Sequence, residues 1–546
     1  MINFLKKYWL LILIIILAIF LRFYKLGSYP ALNADEASNG YDAYSLIQTG
    51  MDQHGHSWPI TFQSFNDYKP GLYVYIILPF VKVLGLNEWA VRIPNAAFGV
   101  LSVLIIYLLV MELFKDRKFA LFSAIFLAIS PWAIQFSRGG WEVNTSTFFI
   151  LFGAYLFIMF VKLHKWQHLF LSILILVLSL YTYHAARVVI PLLGLSGILI
   201  YRKEIYVSAN AKKIVLGIIF GILIILPLLK DLSSPGAISR VAGVGLFADQ
   251  GPINRINEQR GEHGNVNSVL GKIIHNKVIN YGLAFANNWT SHFNGEFLFM
   301  SGDSVERNKV PETGEMYLFD IIFLAVGFIF LSKKYDSGWK FVISWLIIAP
   351  VASALTFQSP NALRAENMVI PLTMISAFGL TAIIDLPKPL RRLRIAGYIL
   401  IILVVCWNFG RYLDMYYLHM GQVYPYSSQY GLKELVIYVA QNQSKYKDIF
   451  VTERYDQPYI LFLFYMKYPP QMFQFHHALT TRDEFGFSTV ADFDKYHFGS
   501  IDFTALRNDH PGSLIIGTPE EIPASANIIK RIYGTNGFEY FDVVAN

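Results

Sequence analysis

Two adjacent acidic residues, Asp35 and Glu36, stand shortly after the first long apolar segment of the chain (8–24). Carboxylates at a membrane surface can act as a general base or bind a cation. The same residues could also begin a helix, with Asn33 or Asp35 as its cap and Glu36 stabilised by the helix dipole. The sequence leaves both interpretations open.

A lysine with similar potential lies in the segment Asp67-Tyr-Lys69-Pro-Gly, directly before the apolar stretch 70–86. Lys69 could hold a lipid phosphate, because it supplies a compact positive charge next to the free amides of a helix N-terminus. Asp67 is a candidate substrate-binding residue in the same segment. The alternative is a lysine whose stem lies along apolar surface while its ammonium reaches water.

Further charged residues occupy short turns between apolar segments. Arg138 and Arg364 are candidates for the same anion site as Lys69, and Glu142, His184 and Arg187 are candidate substrate-binding residues. Arg138 and Glu142 could instead pair with each other, and a histidine such as His184 is more often structural.

The long segment 231–315 is rich in polar residues and glycine, and it contains a last candidate, His263. It could gate a substrate or be a solvated excursion. Neither this segment nor the rest of the chain has a metal-protease, nucleophile-elbow, P-loop or dinucleotide motif in a suitable context. The sequence therefore predicts no metal-binding residues, although a divalent metal cofactor stays open.

The composition is that of a membrane protein. Of 546 residues, 54% are hydrophobic and 15% are charged, whereas soluble domains carry roughly 25% charged residues. The net charge of +7 does not come from one soluble basic patch, so we expect no nucleic-acid partner. The single cysteine, Cys406, excludes an intrachain disulfide.

The distribution of basic residues predicts the number of membrane spans. Hydropathy gives twelve candidates: 8–24, 70–86, 92–113, 118–137, 142–161, 168–183, 187–201, 214–230, 316–332, 339–357, 365–385 and 394–413. If 70–86 is an interfacial or re-entrant helix, the basic residues of six consecutive loops all lie on the cytoplasmic side. Representatives of these loops are Lys6, Lys115, Lys162, Lys212, Lys340 and Arg391. We therefore predict about eleven spans.

This topology places the chemically interesting residues outside the cytoplasm. It gives two long external loops, 26–91 and 231–315, within a transmembrane domain of residues 1–413. Residues 414–546 are more polar and contain the strand-like runs 448–452 and 513–517 and a helical run near 432–442. They are predicted to form a small external α/β domain.

The order of these motifs resembles the GT-C membrane glycosyltransferases. It is most similar to the branch with the protein O-mannosyltransferases and the lipid A aminoarabinose transferase. The resemblance rests on Asp35-Glu36, on Asp67-Tyr-Lys69-Pro-Gly, on Arg92-Ile-Pro94 and on Ser130-Pro-Trp followed by Ser137-Arg138. It is good over about residues 1–200 and extends further by hydropathy alone. The implied fold is a mainly helical transmembrane bundle.

The resemblance also implies an activity. A sugar, hexose or pentose, would move with inversion from a polyprenyl-phosphate donor to a glycan, lipid or protein acceptor outside the cell membrane. Asp35 would match the catalytic aspartate of the family, Glu36 would support it, and Lys69 would match its phosphate-binding lysine. Arg138 and Arg364 are added from the topology alone. The rival hypothesis is a transporter or flippase of lipid-linked glycans, for which inverted repeats and polar residues at mid-membrane are typical.

Overall fold

The fold was analysed in a computed structural model. It describes residues 2–546 with the exception of 66, 207–209, 233–244, 264–267, 332–335, 387–390, 425–426, 428 and 482–487.

Helices dominate the first three quarters of the chain. They are α1 (Ile2–Phe23), α2 (Ala34–Thr49), α3 (Leu72–Leu84), α4 (Glu88–Phe114), α5 (Arg117–Ile129), α6 (Pro131–Ser137), α7 (Glu142–Leu163), α8 (Trp166–Leu180), α9 (Ala186–Ile200), α10 (Arg202–Ile205), α11 (Ala211–Leu232), α12 (Gly251–Glu262), α13 (Val269–Ile274), α14 (Lys277–Ser291), α15 (Leu318–Leu331), α16 (Ser337–Ile348), α17 (Val351–Ala354), α18 (Val369–Asp385) and α19 (Arg391–Asp414). A short hairpin of β1 (Thr61–Ser64) and β2 (Asp67–Pro70) interrupts them.

The chain is a multi-pass membrane protein. Among the described residues, six helices are long and apolar enough to cross a membrane, and the bent pair α5–α6 would make a seventh span. Shorter apolar helices include α3, α8, α9 and α15. Every one of the eleven predicted spans coincides with a helix or a bent helix pair, but the exact number of spans stays a prediction. The 13 residues of α3 rise about 20 Å, less than the roughly 30 Å of a hydrocarbon core.

Contacts divide the described chain into two units. Unit 1 comprises Met1–Leu21, Phe98–Phe136 and Val143–Tyr412, and unit 2 comprises Arg22–Ala97, Ser137–Glu142 and Leu413–Asn546. The predicted domains, 1–413 and 414–546, stay a prediction. The contacts group the first predicted external loop, 26–91, with the tail.

Unit 1 is a bundle of apolar helices packed through small residues. Gly327 of α15 and Gly379 of α18 mark the closest approach, because a Cβ atom at Gly379 would overlap the carbonyl oxygen of Phe323. Small residues allow membrane helices to approach closely where apolar side chains alone give little net attraction over lipid. A hydrogen bond from Ser376 of α18 to the buried Asp320 of α15 adds a polar contact to this interface.

Unit 2 is built around a sheet of seven strands. The tail contains α20 (Met420–Val423), α21 (Leu432–Asn442), β3 (Ile449–Thr452), α22 (Pro458–Met466), α23 (Pro470–His476), β4 (His477–Leu479), β5 (Val490–Phe493), β6 (Tyr496–Gly499), α24 (Phe503–Asp509), β7 (Leu514–Gly517), β8 (Ile528–Tyr533) and β9 (Glu539–Ala545). The strand order is β4-β5-β6-β3-β7-β9-β8, with β3 parallel to both β6 and β7. The predicted tail helix and both predicted strands are confirmed.

One hydrophobic core joins the tail to the segment 26–91, the first predicted external loop. Tyr41 of α2 and Ile77 of α3 are fully buried in the same cluster as Leu461 of α22 and Val451 of β3. Because α22 is buried along most of its length, it lies between the sheet and the loop helices. The tail therefore supports α2, the helix that begins next to Asp35.

The predicted orientation can be tested with single cysteines. In a variant in which Ser replaces Cys406, a cysteine at Lys115 should resist an impermeant thiol reagent added to intact cells, because the loop is predicted to be cytoplasmic. A cysteine at the exposed Ser444 of the tail should react. Labelling of Lys115→Cys in intact cells would contradict the predicted topology.

Candidate active site

Asp35 and Lys69 meet at the N-terminus of α2. Asn33 caps this helix, since its side chain accepts a hydrogen bond from the Glu36 amide at 3.0 Å. Asp35 follows in the first turn, and its Oδ1 accepts a hydrogen bond from the Lys69 ammonium. The two side chains are 21% and 15% exposed. They therefore form an ion pair that a small ligand group can reach.

The β1–β2 hairpin sets the position of Lys69. Lys69 lies opposite Phe62 in the register of the hairpin, and its ammonium lies 5.4 Å from the centre of the Phe65 ring. Gly71 follows, where a Cβ atom would collide with the Phe62 ring. The glycine therefore allows the chain to turn tightly against the hairpin and begin α3.

Short polar contacts fasten the hairpin to α2. The hydroxyls of Ser38 and Ser64 lie 2.9 Å apart. One turn further along α2, Asp42 accepts hydrogen bonds from the Gln53 amide at 3.0 Å and from its side chain at 3.2 Å. Burial, and then the charge of Asp52, raises the pKa of Asp42 well above its usual range. The serine pair joins α2 to β1, the strand that pairs with the one carrying Lys69, and the contacts of Asp42 join α2 to the segment before the hairpin.

A third charged residue, Glu142, belongs to the same cluster. The Asn39 side chain, one turn after Asp35, donates a hydrogen bond to Glu142 at 2.9 Å. The Glu142 carboxylate is close enough to Lys69 and Asp35 to interact with both charges. The structure thus brings together three of the predicted residues, Asp35, Lys69 and Glu142.

Glu36 points away from this cluster into a fully buried ion pair. Its two carboxylate oxygens each accept a hydrogen bond from Arg92 at 2.7 Å, and one also accepts from the Gly140 amide at 2.6 Å. Arg92 in turn donates to the carbonyls of Leu26, Pro30 and Ala31. This geometry fits a role in positioning the start of α2. The support that Glu36 was predicted to give to Asp35 would therefore be indirect.

Arg138 is also buried and is engaged with the protein itself. Its guanidinium donates to the Tyr416 hydroxyl at 3.0 Å and to the carbonyls of Tyr24 and Tyr29 at 2.7 and 3.2 Å. It also lies 5.3 Å from the ring centres of Tyr416 and Tyr417. These contacts are those of an arginine that orders a loop, and its predicted phosphate-binding role has no support in them.

The remaining candidates lie in unit 1, except Asp67. Arg364, His184, Arg187 and His263 belong to unit 1. Arg364 donates to Thr356 and to the Gln358 carbonyl, His184 pairs with Arg187 at 3.0 Å, and His263 pairs with His275 at 3.0 Å. The Asp67 backbone lies in β2, but its side chain is outside the described part of the structure. The functions of all these residues stay predictions.

No group of three His, Cys, Asp or Glu residues in the described ranges is arranged to hold a metal ion. Metal dependence stays an open prediction.

Sequence reasoning missed three residues that shape the site. Asn39 has no distinctive spacing, and Arg92 was noted as part of a motif without a partner. Gln429 of the tail accepts a hydrogen bond from the Ala34 amide at 2.6 Å and donates to the carbonyls of Tyr455 and Asp456. It satisfies a free amide at the start of α2 from almost four hundred residues away, a contact that no local pattern predicts.

The fold is shared with two solved structures, those of ArnT and AglB, which confirms the predicted fold class. ArnT from Cupriavidus metallidurans, solved in the apo state and bound to undecaprenyl phosphate, superimposes with a TM-score of 0.58. It is 12% identical, and the match covers 98% of that chain and 98–99% of this one. The oligosaccharyltransferase AglB from Archaeoglobus fulgidus, in complex with an inhibitory peptide and a dolichol-phosphate, gives 0.52 at 14% identity.

Sequence comparison points to the same class. Residues 68–230 match the model of the family "Dolichyl-phosphate-mannose-protein mannosyltransferase". YycA of Bacillus subtilis (strain 168), named as a candidate mannosyltransferase, is 29% identical over 161 residues, which are 28% of this chain. The match spans 22% of YycA, and the match to AglB covers 84% of this chain and 64% of AglB. The family and YycA are named for mannosyl transfer and AglB for oligosaccharyl transfer. Together with the likeness to ArnT, these matches confirm the predicted resemblance to the GT-C glycosyltransferases.

Substitutions at the two adjacent acidic residues should differ sharply in their effect on stability. Glu36→Gln leaves the Arg92 charge buried without a counter-charge, so the free energy of unfolding should fall by about 3–5 kcal/mol. Asp35→Asn removes a partly exposed pair and should change it by no more than about 1 kcal/mol. Thermal melting in detergent, followed by circular dichroism, compares them. Equal melting temperatures for the two variants would refute the assigned difference in role.

Proposed function

We propose that the chain is an inverting glycosyltransferase that moves a sugar from a polyprenyl-phosphate donor to an acceptor hydroxyl. The observation that carries the proposal is the contact between Asp35 and Lys69. A carboxylate and an ammonium, both partly exposed, stand together at a helix N-terminus in a fold shared with glycosyltransferases. The reaction needs one group of each kind, a base for the acceptor and a cation for the leaving phosphate.

The bond changes follow from this arrangement. The acceptor hydroxyl gives its proton to the Asp35 carboxylate as its oxygen forms a bond to the anomeric carbon of the sugar. The bond from that carbon to the phosphate oxygen breaks, and its electron pair stays on the phosphate. Lys69 stabilises the charge that develops there, an effect that is largest in a site with little water. Displacement from the opposite face inverts the anomeric centre.

The ion pair also couples donor binding to the activation of the base. While Lys69 is paired with Asp35, its ammonium already has an anion to bind. An incoming phosphate gives the ammonium a second anion to bind, which weakens its hold on Asp35. The Asp35 carboxylate would then be released from the pair and turn to the acceptor hydroxyl when a donor is present. Asn39 and Glu142 lie beside the pair and are proposed to contact the sugar or the acceptor.

The likeness to known proteins supports the nature of the carrier. ArnT has been solved with undecaprenyl phosphate and AglB with a dolichol-phosphate, so proteins of this fold bind polyprenyl phosphates. For this chain we propose a donor of that kind and an acceptor that is a glycan, lipid or protein. The site and the tail are proposed to lie on the external side of the cell membrane.

Asp35→Asn should abolish most of the transfer. Loss of a general base lowers the rate by about 10²–10⁴-fold, so kcat should fall while the KM for the donor changes little. Transfer is measured with purified protein, radiolabelled polyprenyl-phosphate sugars and an extract of membrane glycans. Asp509→Asn, at an exposed position of α24, is the matched control and should keep full activity. An Asp35→Asn variant with wild-type kcat would exclude Asp35 as the base.

Lys69→Ala should act mainly on the donor. Removing a charge-assisted hydrogen bond should reduce kcat/KM for the donor by about 10- to 100-fold. Lys82→Ala, at an exposed position of α3, is the matched control. If the wild-type protein transfers no sugar from any polyprenyl-phosphate donor but moves a lipid-linked glycan across vesicle membranes, the transporter hypothesis replaces this one.

A further inference from the structure

Unit 1 contains a cavity that none of the predicted site residues lines. Its volume is about 520 Å³, and it lies between the turn Glu296–Met300, the segment 312–318 and the end of α19. Phe299, Tyr317, Trp407 and Tyr412 form aromatic walls. Its size is within the range of roughly 300–1,000 Å³ that is typical of small-molecule sites.

The polar groups of the cavity carry both signs of charge. Arg411 donates to the Glu312 carbonyl at 2.8 Å and to the Glu312 carboxylate at 2.7 Å. Glu296 is a second carboxylate in the lining, and the Ser301 hydroxyl donates to it. Two carboxylates and one guanidinium therefore face the same space. A ligand with one anionic and one cationic group would complement them, whereas a simple anion would meet excess negative charge.

A buried polar residue on the candidate span Ile395–Val423 also lines the cavity. Asn408 is only 8% exposed and donates to the Val404 carbonyl. Polar side chains within a membrane span are costly and usually mark a binding or transport function. Asn408 therefore adds an amide next to the guanidinium one turn further along the helix.

The polar cavity continues into an apolar helix surface. Leu400, Leu403 and Trp407 are each at least 60% exposed, and with Arg411 they follow the spacing of one helix face. On the other wall, Leu318 lines the cavity, and Ile322, one turn along α15, is also exposed. In a multi-pass membrane protein these surfaces face hydrocarbon. A ligand held at Arg411 can therefore extend apolar chains along both helices.

A purely structural role explains only part of these observations. Arg411 lies within a helix that continues to Val423, and its contact with Glu312 fixes the adjoining segment. That role does not account for the open volume, the second carboxylate or the continuous apolar stripe.

We propose that this cavity binds the headgroup of a zwitterionic glycerophospholipid that carries a primary amine. Arg411 and Asn408 bind the phosphate, the carboxylates of Glu296 and Glu312 bind the ammonium, and the acyl chains lie along Leu400 and Leu403. The proposal is independent of the glycosyltransferase activity, since it uses none of the residues assigned to it. It concerns a membrane lipid that binds unit 1 as a ligand.

Native mass spectrometry of the delipidated full-length protein tests the proposal. Phosphatidylethanolamine should bind with a stoichiometry of one and at least about tenfold more tightly than phosphatidylglycerol, the difference expected for a charge-assisted contact. Phosphatidylcholine, which has no N–H donor on its headgroup, should bind more weakly than phosphatidylethanolamine. Undecaprenyl phosphate should not compete for this site.

Variants locate the site. Arg411→Gln and Glu296→Gln should each weaken binding of phosphatidylethanolamine by about tenfold, whereas Arg202→Gln, at an exposed arginine of α10, should not. Melting temperatures measured without lipid show whether Arg411→Gln or Glu296→Gln is misfolded. If one of them is, the lipid affinity of the other variant tests the proposal. Equal affinity for all the phospholipids, affinity unchanged in the well-folded variants, or displacement by undecaprenyl phosphate would each overturn the proposal.

Discussion

The part of unit 2 around the candidate site depends on the fully buried ion pair between Glu36 and Arg92. Its two parallel hydrogen bonds fix the first turn of α2 relative to the start of α4. A buried charge is tolerated only when a counter-charge lies beside it and its remaining N–H or oxygen atoms are hydrogen-bonded. Arg92 meets this condition by also donating to three backbone carbonyls of the segment 26–31. One side chain thus orders a loop and a helix start together.

Arg138 solves a similar problem for the neighbouring backbone. Carbonyls of non-helical segments need donors when they are buried, and a guanidinium offers five N–H groups in a rigid plane. Arg138 donates hydrogen bonds to two carbonyls of residues 24–29 and packs against two tyrosine rings. Lys69 differs from both arginines. Its ammonium pairs with the Asp35 carboxylate, lies near the Phe65 ring and keeps some exposure to solvent.

The sequence predicted most helices well because a run of apolar residues marks a membrane helix without reference to distant parts of the chain. It also selected Asp35 and Lys69, whose meeting required only a helix start and a hairpin that lie close together in the chain. It could not separate Arg138 from Lys69, because charge parity reports the side of the membrane on which a residue lies but not its burial or its partners. Nor could it foresee that α2 and α3 share a core with α22, since apolar residues such as Leu461 do not specify what they pack against.

The acidic pair shows why two interpretations of one motif can both be needed. Successive residues of a helix point about 100° apart, so neighbours in the first turn face different surroundings. Glu36, three residues after the cap, completes a capping box with Asn33 and reaches Arg92. Asp35 faces the hairpin and Lys69. The structural interpretation therefore fits Glu36 and the chemical one fits Asp35. The buried Glu36 carboxylate fixes the helix start from which the partly exposed Asp35 extends, so any chemistry proposed for Asp35 depends on it.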